Sequence, residues 1–176
     1  MITSKLNYLD EEKFLIIKSI FNDGFPWYYR SYKVVPKDKL FQFTHTFVEE
    51  HKVTSDFFDK LYPLINKLQP KSIRRIKANL TFKDTKIKKS IFHTDYTDNA
   101  KDIKTAIYYI NSNNGCTIFK DGKKEKSIEN KLITFPVTLE HAGTTHTDTL
   151  ERIVLNINYY GWTSGSGSGI GPVPGT

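Results

Sequence analysis

Apolar residues recur with a helical period in two stretches near the N-terminus and with a period of two through most of the remaining chain. In DEEKFLIIKSIFN, residues 10–22, Phe14, Ile17, Ile20 and Phe21 fall on one side of a 3.6-residue spiral. Asp10 is placed to cap this helix. Glu11 and Glu12 complement the positive end of its dipole, and Asn22–Asp23–Gly24 ends it. The aromatic run GFPWYYRSYKVV reads as partly extended, and LFQFTHTFV (40–48) alternates as a strand with Phe41, Phe43 and His45 on one face. SDFFDKLYPLINKL (55–68) returns to the helical period, with Pro63 breaking or kinking the helix.

From residue 72 the period is two, and strands are predicted over 73–82, 104–110, 115–120, 125–129, 131–135 and 152–160. Asn114–Gly115 and Asp121–Gly122 carry hairpin-turn chemistry. Short strands joined by tight turns, behind one or two helices, predict a mainly β chain with supporting helices (α+β). A barrel or a double-sheet jelly roll (double-stranded β-helix) is the closure that leaves the fewest open edges. One domain is expected over 1–162, with helical support from about 1–70 and a β core over about 72–161. Residues 163–176 are Gly/Ser-rich and then Pro-rich, and predict a flexible tail.

Composition narrows the chemistry. The 176 residues are 38% hydrophobic and 14% aromatic, enough to bury a core. The one cysteine, Cys116, excludes an intramolecular disulfide and a cysteine-based zinc cluster. A metal site must therefore use His, Asp and Glu, and the cysteine count fits a reducing compartment. The N-terminal MITSKLNYLDEEKF has no signal-like apolar run and FLII is too short to cross a bilayer, so a cytoplasmic protein with no membrane partner is expected. The net charge of +7 fits either a solvated lysine surface or attraction to nucleic acid or acidic partners. Dispersed lysines and scarce arginine favour the solvated surface.

In FHTDYTD, residues 92–98, His93 and Asp95 are two apart and can face one metal ion if the segment is extended. Two histidines and a carboxylate on one face are a common non-haem Fe(II) set. The third ligand has to come from elsewhere: His141 and His146 precede the last strand, while His45 and His51 lie outside the hairpin-rich region and read as packed or solvated. In RIVLNINYY, Ile153, Leu155, Ile157 and Tyr159 form an apolar face, and Arg152, Val154, Asn156 and Asn158 a mostly polar one. Either a polar-filled cavity or a sheet face open to water fits this division. An arginine in a cavity calls for a carboxylate. TAIYYIN divides likewise, with Thr105, Ile107 and Tyr109 on one face and Tyr108 on the other.

Taken in order, HTD (93–95), TAIYYIN (105–111), GCTIF (115–119), NKLITFP (130–136), HAGTTHTD (141–148) and RIVLNINYY (152–160) resemble the iron(II)- and 2-oxoglutarate-dependent oxygenases of the prolyl-hydroxylase-like branch. FPWYY (25–29), FQFTHTF (41–47) and RIKANL (75–80) resemble small phage-like and marine bacterial members, so the likeness covers nearly all of 25–161. The resemblance implies a jelly roll in which His93, Asp95 and His141 hold Fe(II). Arg152 would bind the distal carboxylate of 2-oxoglutarate, with Tyr109 assisting and Asn79 in the pocket wall. It implies a dioxygenase that couples oxidative decarboxylation of 2-oxoglutarate, with O2, to hydroxylation of a substrate. Ascorbate is a candidate reductant, and a peptidyl prolyl residue, a small molecule or a nucleic acid a candidate substrate. Trp27, Tyr28 and Tyr29 are candidates for either the entrance or the core. Ten residues separate His141 from Arg152, slightly more than is usual in this branch, while five separate His146 from it. A ligand at the mouth and an arginine deep in the barrel need the longer span, which favours His141. The competing readings are a non-catalytic basic β-barrel that binds nucleic acid or an acidic protein, and a cupin-like metalloprotein that has no need of Arg152.

Overall fold

The computed structural model describes residues 1–38, 40–96 and 102–162. In chain order the elements are β1 (Thr3–Lys5), α1 (Glu11–Ser19), β2 (Tyr28–Arg30), β3 (Gln42–Glu49), β4 (Lys52–Val53), α2 (Tyr62–Leu68), β5 (Ser72–Phe82), β6 (Ile103–Tyr109), β7 (Cys116–Phe119), β8 (Lys124–Lys126), β9 (Lys131–Pro136), β10 (His141–Gly143) and β11 (Glu151–Tyr160). Among the described residues they form an eight-stranded sheet, ordered β1-β9-β6-β11-β5-β3-β2 with β4 on β3, and a three-stranded sheet, β10-β7-β8. All pairings are antiparallel. The expected mainly β double-sheet arrangement with helical support is present, and the first 70 residues add strands to the large sheet as well as helices. The tail expected over 163–176 lies outside the described residues.

Helix α1 starts as its sequence dictates: the Asp10 side chain accepts a hydrogen bond from the Lys13 N–H at 3.0 Å. It ends at Ser19, short of the expected 22, because the chain tightens. Ile20 N bonds Ile17 O and Phe21 N bonds Lys18 O, both at 3.2 Å, before Gly24 turns away at φ +87°. The helix expected over 55–68 is two pieces, a 3-10 turn at Phe58–Leu61 and then α2. Pro63 starts α2 instead of kinking it, since a first-turn N–H has no intrahelical acceptor and its loss costs nothing.

Both helices pack on one face of the large sheet. Phe14, Ile17, Leu61 and Leu64 meet Ile153, Leu155, Ile157 and Tyr159 of β11 there, and Tyr108 of β6 stands against Tyr8 and Phe14. Burying each such aliphatic side chain stabilises the fold by roughly 1.5–3 kcal/mol. A smaller cluster of Ile107, Tyr109, Phe119, Ile133, Phe135 and Val154 fills the space between the two sheets. Strand parity therefore holds on β6 and β11, and the polar face of β11 is buried between sheets, not open to water.

One predicted turn is corrected. Asp121–Gly122 does join a hairpin, β7 to β8, with Gly122 at φ +90°. Asn114–Gly115 does not: β6 pairs with β9 and β11, β7 with β8 and β10, so this connection carries the chain from one sheet to the other. The strand expected over 125–129 likewise stops at Lys126, where the chain crosses back to β9 in the large sheet.

Candidate metal and anion site

His93 is not in a regular strand. It forms an isolated antiparallel bridge with His141, His93 N bonding His141 O at 3.0 Å and His141 N bonding His93 O at 2.9 Å. That bridge sets the two imidazoles side by side, ring centroids 4.6 Å apart. Each ring turns Nδ1 toward the carbonyl two residues earlier: Ile91 O at 3.3 Å for His93 and Leu139 O at 3.0 Å for His141. A nitrogen facing a carbonyl carries the proton, which leaves both Nε2 lone pairs free for a metal. Burial, then the neighbouring His141, holds the His93 pKa below the usual imidazole value and favours the neutral ring a metal needs.

Asp95 completes the group. One ligand atom from each of His93, Asp95 and His141 lies within 4.8 Å of the others. The carboxylate is oriented by four donors: Thr105 Oγ1 (2.6 Å) and Asn158 Nδ2 (3.0 Å) on Oδ2, Asn156 Nδ2 (3.3 Å) and Arg75 Nη2 (3.4 Å) on Oδ1. Burial pushes its pKa up, but His141, Arg75 and these hydrogen bonds outweigh burial and hold the carboxyl below its ordinary value. It is an anion aimed at the two imidazoles.

Arg152 occupies the other end of the same cavity, which has a volume of about 100 Å³ and reaches His93, Asp95 and His141. It is buried, its Nε donates to Ser127 Oγ at 2.7 Å, and it lies 5.8 Å from the centroid of the Tyr109 ring. Among the described residues no carboxylate pairs with it. Burial lowers its pKa without discharging it. The Tyr109 hydroxyl, pushed up to about 12 by burial, donates to Thr117 Oγ1 at 2.8 Å, and Thr117 lines the cavity. Asn79 stands in the wall. Two more buried polar atoms facing this space, Thr81 Oγ1 and Asn156 Oδ1, have no protein partner. A cavity with a free guanidinium and orphaned polar atoms is built for a polar, anionic guest.

The remaining histidines lie outside this group, and both ring nitrogens of His146 are buried without a hydrogen-bond partner among the described residues. His146, though fully buried, is not part of the three-residue group. His45 bonds Pro26 O and Ser55 Oγ, both at 2.8 Å, among Phe25, Phe47 and Phe57. His51 is exposed and stacks on Tyr160. Trp27 packs on Phe21 and Phe25, whereas Tyr28 and Tyr29 are exposed.

Sequence reasoning missed the residues that hold Asp95 and those that charge the cavity. Thr105, Asn156 and Asn158 were marked only as members of polar faces. Lys77 shares the parity of Asn79 in β5, a signal that was there to read. Lys33 comes from the irregular segment before β3 and Ser127 from the β8–β9 crossover, where no periodicity points inward.

No protein-family model matches the chain, and no curated protein matches it in sequence. Solved structures do match in fold. A 2OG-Fe(II) oxygenase family oxidoreductase from Burkholderia pseudomallei superposes with a TM-score of 0.68 at 12% identity, covering 90% of this chain and 84% of that one. A Pseudomonas putida prolyl-4-hydroxylase gives 0.63 at 11%, covering 92% of both. A Trichoplax adhaerens prolyl hydroxylase in complex with a hypoxia inducible factor oxygen degradation domain peptide fragment gives 0.63 at 10%, covering 90% of this chain and 83% of that one. With its two antiparallel sheets, its helices on one face and a half-buried His–Asp–His group at the cavity, the chain has the jelly-roll fold of the iron(II)- and 2-oxoglutarate-dependent oxygenases, prolyl hydroxylases among them.

Proposed function

We propose that this protein is an Fe(II)- and 2-oxoglutarate-dependent dioxygenase that hydroxylates its substrate. One observation carries the reading: a buried guanidinium without a carboxylate of its own shares a small cavity with two histidines and an aspartate. A dicarboxylate that chelates a metal at one end and meets Arg152 at the other answers both needs at once. A cupin-like metalloprotein that does not use 2-oxoglutarate leaves the arginine unexplained.

His93, Asp95 and His141 would hold the ferrous ion, and their two-histidine, one-carboxylate donor set suits it. Held there with 2-oxoglutarate and O2, the metal would supply the oxidative decarboxylation that is coupled to hydroxylation. The chain's own part is binding and orientation. Thr105 and Asn158 fix which carboxylate oxygen of Asp95 faces the imidazoles. Ser127 and the Tyr109 ring hold the Arg152 guanidinium, and Ile107 and Val154 line the cavity with apolar surface that limits water.

The test is an anaerobic titration of metal-free protein with Fe(II) and 2-oxoglutarate. A visible metal-to-ligand charge-transfer band is expected. It should be absent in His93→Ala, and Arg152→Ala should weaken 2-oxoglutarate affinity about ten- to hundred-fold, the worth of a charge-assisted pair. Succinate should then form when oxygen is admitted. A flat spectrum at saturating metal and co-substrate overturns the reading and leaves the non-catalytic basic barrel in its place.

A further inference from the structure

We propose that the substrate is a small molecule carrying a phosphate or carboxylate group, received by Lys77 and Arg30 in a groove that continues from the metal cavity; this rests on the dioxygenase reading. The groove has a volume of about 400 Å³, within the range of small-molecule sites. It shares Lys33, Gln42 and Lys77 with the metal cavity, so the two spaces adjoin along these side chains. Its floor is the same face of the large sheet that carries Arg152, continued outward by register: Thr44 pairs with Asn79, Thr46 with Lys77 and Arg30 with Gln42.

Charge balance identifies the guest. A ferrous ion and Arg152 are neutralised by Asp95 and the two carboxylates of 2-oxoglutarate. Among the described residues, Arg30, Lys33, Arg75 and Lys77 then have Glu49 and Asp38 as counter-charges of their own, Asp95 being shared with the metal, an excess of two positive charges. Arg75 is already engaged, by Asp95, by Asn158 Oδ1 at 3.0 Å and by the Tyr96 ring. Among the described residues, Arg30 and Lys77 form no ion pair or side-chain hydrogen bond. Burial, then a neighbouring arginine (Arg75 for Lys77, Arg152 for Lys33), brings both down to about 8, as happens to amines taken out of water beside like charge. Both stay mostly protonated at neutral pH. Lys77, held partly out of water without a partner, carries a cost that an arriving oxyanion relieves, while Arg30, exposed at the groove's edge, adds charge to draw it in. Thr44, Thr46 and Gln42 add hydrogen-bond donors to the same wall. A polymer would call for a longer charged track, and the other lysines are dispersed.

The experiment uses the full chain loaded anaerobically with Fe(II) and saturating 2-oxoglutarate, so that the charge-transfer band first reports on the metal site. Glycerol 3-phosphate and N-acetylaspartate are then titrated by calorimetry against their uncharged counterparts, glycerol and N-acetylaspartate diamide. Hexaglutamate and a six-nucleotide oligothymidylate serve as polymer probes. At least one small anion should bind about ten-fold or more tightly than its neutral counterpart, and whichever does so assigns the group as phosphate or carboxylate. The Arg30→Gln/Lys77→Gln double variant should lose that preference, while Lys5→Gln/Lys124→Gln, which removes the same charge from exposed sites elsewhere, should keep it. The proposal is overturned if the band forms but neither anion is preferred, if both double variants lose affinity equally, or if only a polymer binds. If no band forms, the dioxygenase reading falls by itself, and the same titration on metal-free protein still decides whether the groove takes small anions.

Discussion

Two side chains organise the candidate site, and each is held in place by its neighbours. Asp95 depends on Asn158 and Thr105, which bond to one another as well as to its Oδ2. Asn158→Leu keeps the volume and removes the donor, so metal affinity should fall about ten- to hundred-fold while 2-oxoglutarate still discriminates Arg152 variants; a metal titration checks this. Arg152 depends on a missing side chain. A Cβ on Gly115 would stand 3.0 Å from Arg152 Cδ and 2.8 Å from Asn113 Oδ1. Gly115→Ala should therefore displace the guanidinium and weaken 2-oxoglutarate several-fold, with Fe(II) affinity unchanged, as read from the charge-transfer titration. At this scale His93, Asp95, His141 and Arg152 were readable as residue types in order. Ser127 and Lys33 were not, because they approach the site from crossover and loop segments with no period of their own.

Among the elements, β11 carries most of the architecture. It lies between β5 and β6, packs Ile153, Leu155, Ile157 and Tyr159 on the helices and turns Arg152, Asn156 and Asn158 toward the cavity. Ile157→Ala should cost about 2–5 kcal/mol in denaturant unfolding, since its site is fully enclosed. Asp10→Ala, which removes the cap of α1 together with the Asp10–Lys13 ion pair, should lower the unfolding midpoint slightly and leave Fe(II) affinity unchanged. The period of two made β5, β6, β9 and β11 legible almost to the residue. It could not say which strands pair, so Asn114–Gly115 looked like a hairpin when it is a crossing between sheets. The helical stretch expected over 55–68 is broken at Pro63, as one of the two expected outcomes had it, for a local reason: a proline fits the first turn better than the middle.

Considered whole, the protein is a sheet with one apolar side under helices and one polar side over a cavity, and no described helix is long and apolar enough to cross a membrane. The apolar side encloses tyrosines that cannot ionise in place: burial raises Tyr108 and brings Tyr159 up to about 12, and Tyr109 between the sheets reaches about 12 as well. In the unfolded chain these hydroxyls titrate near 10. A folded value above the unfolded one gives a contribution that is complete below the unfolded pKa and is lost as pH rises toward the folded pKa. Stability should therefore decline steeply between about pH 10 and 12, with the tyrosinate absorbance of these buried residues appearing together with unfolding. Ionisation of every tyrosine while the chain stays folded would contradict this burial. By itself the sequence determined the strands, their inward faces and the types of residue available for a metal and an anion, because period and side-chain chemistry are local properties. Only the tertiary structure decided that His93 and His141 meet across a two-residue bridge, that Arg152 finds no carboxylate, and that Lys77 and Lys33 share its cavity. Those facts depend on which distant segments lie side by side, and a one-dimensional pattern carries no record of that.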